Sequence, residues 1–280
     1  MHQVPNIKLN NGTLMPQLGF GVWQVPDDEA ERVVGTALEA GYRSVDTAAV
    51  YGNERGTGRA VTGSGLPREE LFVTTKLWNG PDRRWDRDAV LRAFDDSLGK
   101  LGLDHVDLYL IHWPRPMRDD FLTIWKTFEE IAESGRAKAV GVSNFRPADL
   151  ERLGAESPLV PAVNQIELHP LFPQAELRAL HSSLGIATEA WSPLGQGKEL
   201  LELPAVAAVA ARHGRSAAQV VLRWHLQLGT IVIPKSVTPA RIRENLDVFG
   251  FELDAEDLAA LDALGADGRR IGPDPAEFDV

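Results

Sequence analysis

The sequence predicts an α/β chain closed into a (β/α)8 (TIM) barrel, and three observations carry that expectation. Eight short β-rich runs alternate with helical segments. No Ser/Gly-rich linker or charge block divides the 280 residues. No dinucleotide-binding glycine fingerprint follows a strand, because Gly19-Phe20-Gly21 runs into Val22-Trp23-Gln24-Val25-Pro26 and Gly56-Thr57-Gly58 lies inside a helical run. Alternation of this kind calls for parallel strands covered by helices, and eight units favour closure over an open sheet. We therefore expect one domain over residues 1–280.

Taken in order, Val4 to Leu9, then Asn10-Asn11-Gly12, then Thr13 to Met15 read as an N-terminal β-hairpin, since an Asn-Gly step favours a tight turn. Asn11-Gly12-Thr13 also spells a glycosylation acceptor, but the N-terminus shows no apolar run of signal-peptide length, and the turn reading stands. Strands are expected at 17–21, 44–46, 71–77, 106–111, 137–143, 162–167, 186–192 and 230–233. Helical spacing with end signals places helices at 28–40, closed by Gly41; 53–61; 86–101, closed by Gly102; 121–134, closed by Gly135; 147–153, closed by Gly154; and 174–184, closed by Gly185. Two helices, 205–213 and 216–228, follow the seventh strand, and two more, 239–248 and 254–264, follow the eighth, so two are extra to the repeat. Residues 265–280 form an irregular tail, with Arg269, Ile271 and Phe278 expected to fold as a C-terminal loop over the active site.

Composition excludes several chemistries. Without cysteine there is no thiolate metal site, iron–sulfur cluster, disulfide or thiol nucleophile. The net charge of −11 argues against nucleic acid or an anionic membrane as partner, and no apolar run approaches transmembrane length. A cytoplasmic protein is the simplest expectation. No heptad or large apolar helix face stands out, so a monomer is expected. Among the histidines, His2, His105, His112, His169, His181, His213 and His225 show no HxH or HExxH spacing, and a metal site is not expected. Gly141-Val142-Ser143-Asn144-Phe145 lacks the second glycine of a nucleophile elbow.

In this barrel class the active site lies where strands end, so the ionisable residues at those ends matter most. Asp46 ends the second strand, Tyr51 lies in the loop beyond it, Lys76 nears the end of the third strand, and His112 ends the fourth. Singly, each has a plainer reading: a helix cap or ion-pair partner, a loop-packing ring, a solvated strand end, a hydrogen-bonded core imidazole. Together they form a proton-donating set. A phenol with an ordinary pKa near 10 needs a neighbouring cation to donate at neutral pH, and Lys76 is that cation. Asp46 keeps the lysine charged against burial, and a neutral His112 can donate a hydrogen bond to a carbonyl oxygen.

These residues sit in segments that resemble the aldo-keto reductase family over essentially the whole chain. Gly41-Tyr42-Arg43-Ser44-Val45-Asp46-Thr47-Ala48-Ala49-Val50-Tyr51-Gly52-Asn53-Glu54 is similar to the family's first signature. Val73-Thr74-Thr75-Lys76-Leu77-Trp78, Leu110-Ile111-His112-Trp113-Pro114 and Ile233-Pro234-Lys235-Ser236-Val237-Thr238-Pro239-Ala240-Arg241-Ile242-Arg243-Glu244-Asn245 match further blocks. The resemblance implies a catalytic tetrad of Asp46, Tyr51, Lys76 and His112, with Tyr51 as general acid. It also implies NADPH bound without a doubly wound domain. Ser143, Asn144 and Gln165 would hold its carboxamide, Trp191 would stack on the nicotinamide, and Ser192, Pro193, Leu194 and Gly195 would lie along the pyrophosphate. Many members carry tyrosine at the stacking position; Trp191 resembles the prokaryotic diketogluconate reductase branch and leaves the ring pose open.

The last block also has a physical reading. Thr238 followed by Pro239 resembles an N-cap and first helical residue, so free backbone N–H groups point toward Ser236 and Lys235, with Arg241 in the first turn. Such helix starts are often only solvated. Within the matched block the resemblance implies the adenosine 2′-phosphate on Lys235, Ser236 and Arg241, with Val237 and Thr238 beside it and Glu244 and Asn245 near the adenine. On the substrate side, Trp23, Val50, Trp78, His112 and Trp113 lie at catalytic strand ends as candidate walls of an apolar pocket. The expected reaction is reduction of aldehydes or ketones, small dicarbonyls and keto-sugars among them. A non-catalytic NADPH-binding barrel, or a barrel enzyme holding a phosphorylated substrate at Lys235 and Arg241, remain alternatives.

Overall fold

The computed structural model describes residues 4–80 and 85–279; residues 1–3 (His2 among them), 81–84 and Val280 lie outside the described residues. The chain starts with the expected hairpin, β1 (Asn6–Lys8) pairing antiparallel with β2 (Leu14–Pro16), Ile7 opposite Met15. Gly12 takes a φ of +90°, a conformation open to glycine at little cost. The Asn10 and Asn11 side chains donate to the carbonyls of Pro161 (3.0 Å) and Lys138 (2.8 Å), near the starts of two barrel strands. Leu9 and Met15 pack with Phe72, Leu108, Leu110, Val163 and Ile231, so the hairpin closes the N-terminal end of the barrel interior.

Eight strands run parallel in chain order: β3 (Phe20–Gly21), β4 (Ser44–Asp46), β5 (Phe72–Leu77), β6 (Val106–Ile111), β7 (Ala137–Ser143), β8 (Val163–Glu167), β9 (Ala187–Trp191) and β10 (Ile231–Val232). The first and last meet through a parallel bridge between Leu18 and Val232, supported by Gly19 N–H donating to Val232 O at 2.8 Å and Val232 N–H to Gln17 O at 3.0 Å. The first strand, expected over 17–21, is regular only at Phe20–Gly21. The approach is very close at this seam: a Cβ on Gly21 would lie 2.9 Å from Ile233 O.

A helix follows each strand from β3 to β8: α1 (Asp27–Ala40), α2 (Glu54–Gly63), α3 (Arg87–Leu101), α4 (Phe121–Glu133), α5 (Pro147–Glu156) and α6 (Ala175–Leu184). After β9 come α7 (Pro204–His213) and α8 (Ala217–Gln227), and after β10 come α9 (Pro239–Leu246) and α10 (Ala255–Asp262). The extra helices α7 and α10 are clasped together by Arg212 and His213 on the buried Asp257, with His213 Nε2 2.7 Å from Asp257 Oδ2. Gly154 does not end α5 as expected. The helix runs through it and stops where Ser157, which precedes a proline, turns extended with φ −141° and ψ 135°.

Strands buried on both faces explain the continuous apolar runs. On β6, Leu108 and Leu110 join the inner cluster, whereas the Tyr109 ring lies 4.6 Å from both Phe94 of α3 and Phe128 of α4. No helix among the described residues is long and apolar enough to cross a membrane.

Candidate active site

Asp46 ends β4, Lys76 is the penultimate residue of β5, and His112 immediately follows β6, so all three point from the C-terminal ends of adjacent strands. Tyr51 ends a short 3-10 turn, Ala49–Tyr51, released by Gly52 at a φ of +68°. The buried Asn53 fastens this turn: its Nδ2 donates to Val22 O (2.9 Å) and Val25 O (2.8 Å), and its Oδ1 accepts from Thr47 Oγ1 at 2.7 Å. Glu54 adds a 2.6 Å bond from Thr75 Oγ1 on β5, next to Lys76. The signature residues around Tyr51 thus fix its loop to the segments that follow β3 and β4 and to β5 itself.

Lys76 is fully buried, with Nζ 2.6 Å from Asp46 Oδ1, 2.9 Å from Thr47 O and 5.0 Å from the centre of the Tyr51 ring. Burial favours the neutral amine, but Asp46, with Tyr51 and Glu189, holds the ammonium charged and raises its pKa above the ordinary lysine value. For Tyr51, burial pushes the hydroxyl above its ordinary value and outweighs the opposing pull of Lys76. This corrects the expectation that Lys76 lowers the phenol outright: it moderates a larger burial effect. The His112 ring lies 5.7 Å from Tyr51 and 5.4 Å from Trp78, and burial, then Lys76, hold it well below the ordinary imidazole range. It is neutral.

The residues assigned to the nicotinamide end form one network. Ser143 Oγ donates to Gln165 O (2.8 Å), Asn144 Nδ2 donates to Ser143 Oγ (3.1 Å) and His112 O (3.1 Å), and Trp191 Nε1 donates to Asn144 Oδ1 (2.8 Å). Asn144 adopts a left-handed φ of 64°, which turns its amide back over the strand ends. The indole pose left open by the sequence is therefore set by a hydrogen bond that tyrosine at this position has no ring N–H to make. Gln165 Nε2 donates to Asp46 Oδ2 (2.9 Å) and to Glu189 Oε2 (2.8 Å). The Ser192 to Gly195 segment turns sharply, Ser192 at φ 50° and Gly195 at φ 61°, and the buried His225 lies with Nε2 3.2 Å from the Pro193 carbonyl. Burial pushes His225 down to about 3, so it donates as a neutral ring.

In the next unit, Thr238 occupies the N-cap position of α9 and Pro239 its first turn, as expected, but the Thr238 side chain makes no cap bond; its backbone N–H instead donates to Ser236 Oγ at 3.2 Å. Lys235, Val237, Thr238 and Arg241 are exposed, and neither cation has an ion-pair partner among the described residues. Asn245 is buried and Glu244 half-buried on the same helix.

Trp78 and Trp113 flank His112, and the tail covers them as expected. The Phe278 ring centre lies 4.1 Å from that of Trp113, tilted by 32°, and 6.3 Å from that of Trp78, edge to face. Trp23 and Val50 remain 44% and 45% exposed in the loops after β3 and β4, leaving apolar surface at those strand ends. The tail is tied by Arg269 to Glu199 (2.7 Å) and, through its N–H, to Leu171 O (2.9 Å), by Arg270 over the Phe172 ring (4.6 Å), by the Ile271 and Gly272 N–H groups to Glu167 (2.5 and 2.9 Å), and by Asp279 to the buried Arg115 and to Arg118 (each 2.9 Å).

Sequence reasoning missed Glu189, Glu167, Arg115 and Asp279. Glu189 carried a signal, since it alternates with Trp191 and so shares its face of the strand. Glu167 alternates with Gln165 in the same way. Arg115 and Asp279 are joined across 164 residues, which no local pattern reveals.

Residues 9–266 match the model of the aldo/keto reductase family. An aldo-keto reductase of Mycobacterium sp. (strain KMS) is 56% identical over 274 residues, covering 98% of each chain. Methylglyoxal reductase DkgA of Escherichia coli (strain K12) is 49% identical over 273 residues, covering 97% of each, in agreement with the branch to which Trp191 pointed. Among solved structures, a mutant of Gox0644 in complex with NADPH matches with a TM-score of 0.92 and 46% identity over 100% of both chains. Strand-end chemistry, barrel and near-complete sequence match coincide, and the chain belongs to the aldo/keto reductase family.

Proposed function

We propose that the protein is an NADPH-dependent carbonyl reductase that acts on aldehydes and ketones, with small dicarbonyls and keto-sugars such as diketogluconate as the substrate class. The observation that carries this reading is the buried Lys76, 2.6 Å from Asp46 and 5.0 Å from the Tyr51 ring, beside the neutral His112. Such a set can deliver one proton to an oxygen that gains negative charge.

The chain's residues fit the cofactor. With both amide hydrogens of Gln165 engaged, its Oε1 is left as an acceptor for a carboxamide N–H. Ser143 and Asn144 lie beside it, and Trp191 offers a ring face for stacking. Pro193 and Leu194, within the Ser192 to Gly195 turn, would follow the pyrophosphate. Lys235 and Arg241, free of carboxylate partners among the described residues, with Ser236 and the start of α9, would take the 2′-phosphate, and Glu244 and Asn245 the adenine. When bound, NADPH supplies the hydride for the carbonyl carbon.

Tyr51 gives its hydroxyl proton to the carbonyl oxygen, and Lys76 stabilises the negative charge that develops on the phenol. Asp46 keeps Lys76 charged throughout. His112 Nδ1 is sealed without a partner, which places the ring proton on Nε2, since an orphaned N–H is rarer than an orphaned acceptor. From Nε2, His112 donates to the substrate oxygen and orients it. Trp78, Trp113 and Phe278 exclude water around the reacting atoms, with Trp23 and Val50 at the rim.

The relative from Escherichia coli is a methylglyoxal reductase, which supports a small dicarbonyl. Steady-state NADPH consumption with methylglyoxal and a panel of aldehydes and keto-sugars tests the reading; no turnover with any of them, in protein that binds NADPH, overturns it in favour of a non-catalytic barrel. We also propose that the chain acts as a monomer, and a solution mass near twice 30.7 kDa would count against that.

A further inference from the structure

β9 carries one ionisable side chain, Glu189, on the same face of the strand as Trp191. It is fully buried; Oε2 accepts from Gln165 Nε2 at 2.8 Å, and Oε1 is sealed without a partner. A leucine would fill similar space without the desolvation cost of a carboxyl. The contribution of Glu189 therefore has to be sought in the bond it accepts.

That bond completes a bridge. The same Gln165 nitrogen donates to Asp46 Oδ2 at 2.9 Å, so each amide hydrogen is held by a different carboxyl group, one from β4 and one from β9. With Asp46 alone, either hydrogen of Gln165 could be donated, and the amide would have two orientations. With both acceptors it has one. In that orientation Oε1 accepts no hydrogen bond among the described residues and is not sealed from solvent. It presents a bare acceptor beside Ser143 and Asn144, which are tied to Gln165's own backbone carbonyl by Ser143 Oγ (2.8 Å) and the Asn144 backbone N–H (2.9 Å).

We propose that Glu189 is a positioning residue for the cofactor: by holding the second amide hydrogen of Gln165 it fixes Gln165 Oε1 as an acceptor, so that the site selects a nicotinamide bearing an amide N–H. The proposal rests on the NADPH reading above and concerns a residue that acts through Gln165 without touching the cofactor. It assigns to the Asp46 carboxyl a second duty, with Oδ1 on Lys76 and Oδ2 on Gln165, so that the proton-donating set and the carboxamide site share one anchor.

The test compares three probes by calorimetry: NADPH, its reduced 3-acetylpyridine analogue, in which a methyl ketone replaces the amide, and 2′,5′-ADP. The wild-type protein is expected to favour NADPH over the analogue by about fivefold or more, the scale of one hydrogen bond. Glu189→Leu should bring the two within about twofold, through weaker NADPH binding, and leave 2′,5′-ADP affinity unchanged. Glu189→Gln, whose side-chain oxygen can accept the same bond, should keep the preference. Full preference in Glu189→Leu overturns the proposal, and so does its loss in a Glu189→Gln protein that binds 2′,5′-ADP normally; the second arm decides if the leucine variant does not fold. Failure of the wild type to bind NADPH and 2′,5′-ADP overturns the NADPH reading itself, and this proposal with it.

Discussion

Lys76 Nζ lies 2.6 Å from Asp46 Oδ1 with both side chains sealed inside the barrel, so neither charge has water to fall back on. Breaking a buried pair by removing one partner leaves the other uncompensated, at a cost of about 3–5 kcal/mol. Asp46→Ala should lower stability to denaturant on that scale, and it should also release Gln165 from one of its two anchors. An Asp46→Ala and Lys76→Met double variant should recover part of the loss, because the stranded ammonium is gone. Chemical denaturation of these two variants and of Lys76→Met alone checks this, and strict additivity of the single effects would count against a coupled pair.

Tyr51→Phe removes one hydroxyl and keeps the ring that packs against His112 at 5.7 Å. Positioned acid catalysis contributes about 10²–10⁴-fold, so turnover should fall by at least that order while the affinity for NADPH stays within about twofold. Stopped-flow or steady-state turnover with a small dicarbonyl, beside a cofactor titration, separates the two effects. Full activity in the variant removes Tyr51 from the acid role.

The proximity of Asp46, Tyr51, Lys76 and His112 was legible in the sequence because each sits at a strand end or in the loop just beyond, where barrel geometry alone directs attention. For Glu189 only its strand face was legible, through alternation with Trp191; its role was not, because that depends on Gln165 bridging it to Asp46 on a strand across the barrel. The branch-marking Trp191 was legible as a residue type; its orientation depends on Asn144, whose left-handed backbone is a property of the loop after β7 and of no local pattern. Gly154 misled for the opposite reason. A glycine near a helix end resembles a stop, yet the helix ends only where Pro158 forces Ser157 out of the helical region.

Arg241 and Lys235 stand exposed at the start of α9 without carboxylate partners among the described residues. Arg241→Ala should weaken NADPH by about tenfold or more, the scale of a charge-assisted hydrogen bond, and change NADH affinity by less than about twofold. The gap should narrow as salt rises, since the site is solvent-exposed. Parallel titrations with both cofactors decide it, and equal losses would remove the 2′-phosphate from this site.

Phe278 covers the walls on either side of His112, 4.1 Å from Trp113 and 6.3 Å from Trp78. Phe278→Ala should raise KM for a small dicarbonyl several-fold and admit bulkier aldehydes, with cofactor affinity unchanged, because the tail segment that meets Glu167 and Glu199 lies upstream of it. A matched loss of NADPH affinity would show instead that the tail holds the cofactor end.

Glu189 gives stability a pH dependence whose sign is fixed by its burial. Loss of solvent, with Asp46 close by, pushes its carboxyl from an ordinary value of 4.5 up to about 8. Between those values the unfolded chain has released the proton and the folded chain still holds it, so folding becomes less favourable as pH rises, by about 1.4 kcal/mol per pH unit at most. The contribution is fully present below the unfolded value and is lost as pH passes the folded one. Glutamine at this position has nothing to titrate and keeps an oxygen for Gln165. The stability of Glu189→Gln relative to the wild type should therefore rise steadily between pH 4.5 and about 8 and level off beyond. Denaturant midpoints at several pH values across that window read the difference directly, and a constant offset would mean that Glu189 is already ionised in the folded barrel, where its charge would face Asp46 with only the Gln165 amide and Lys76 to offset it.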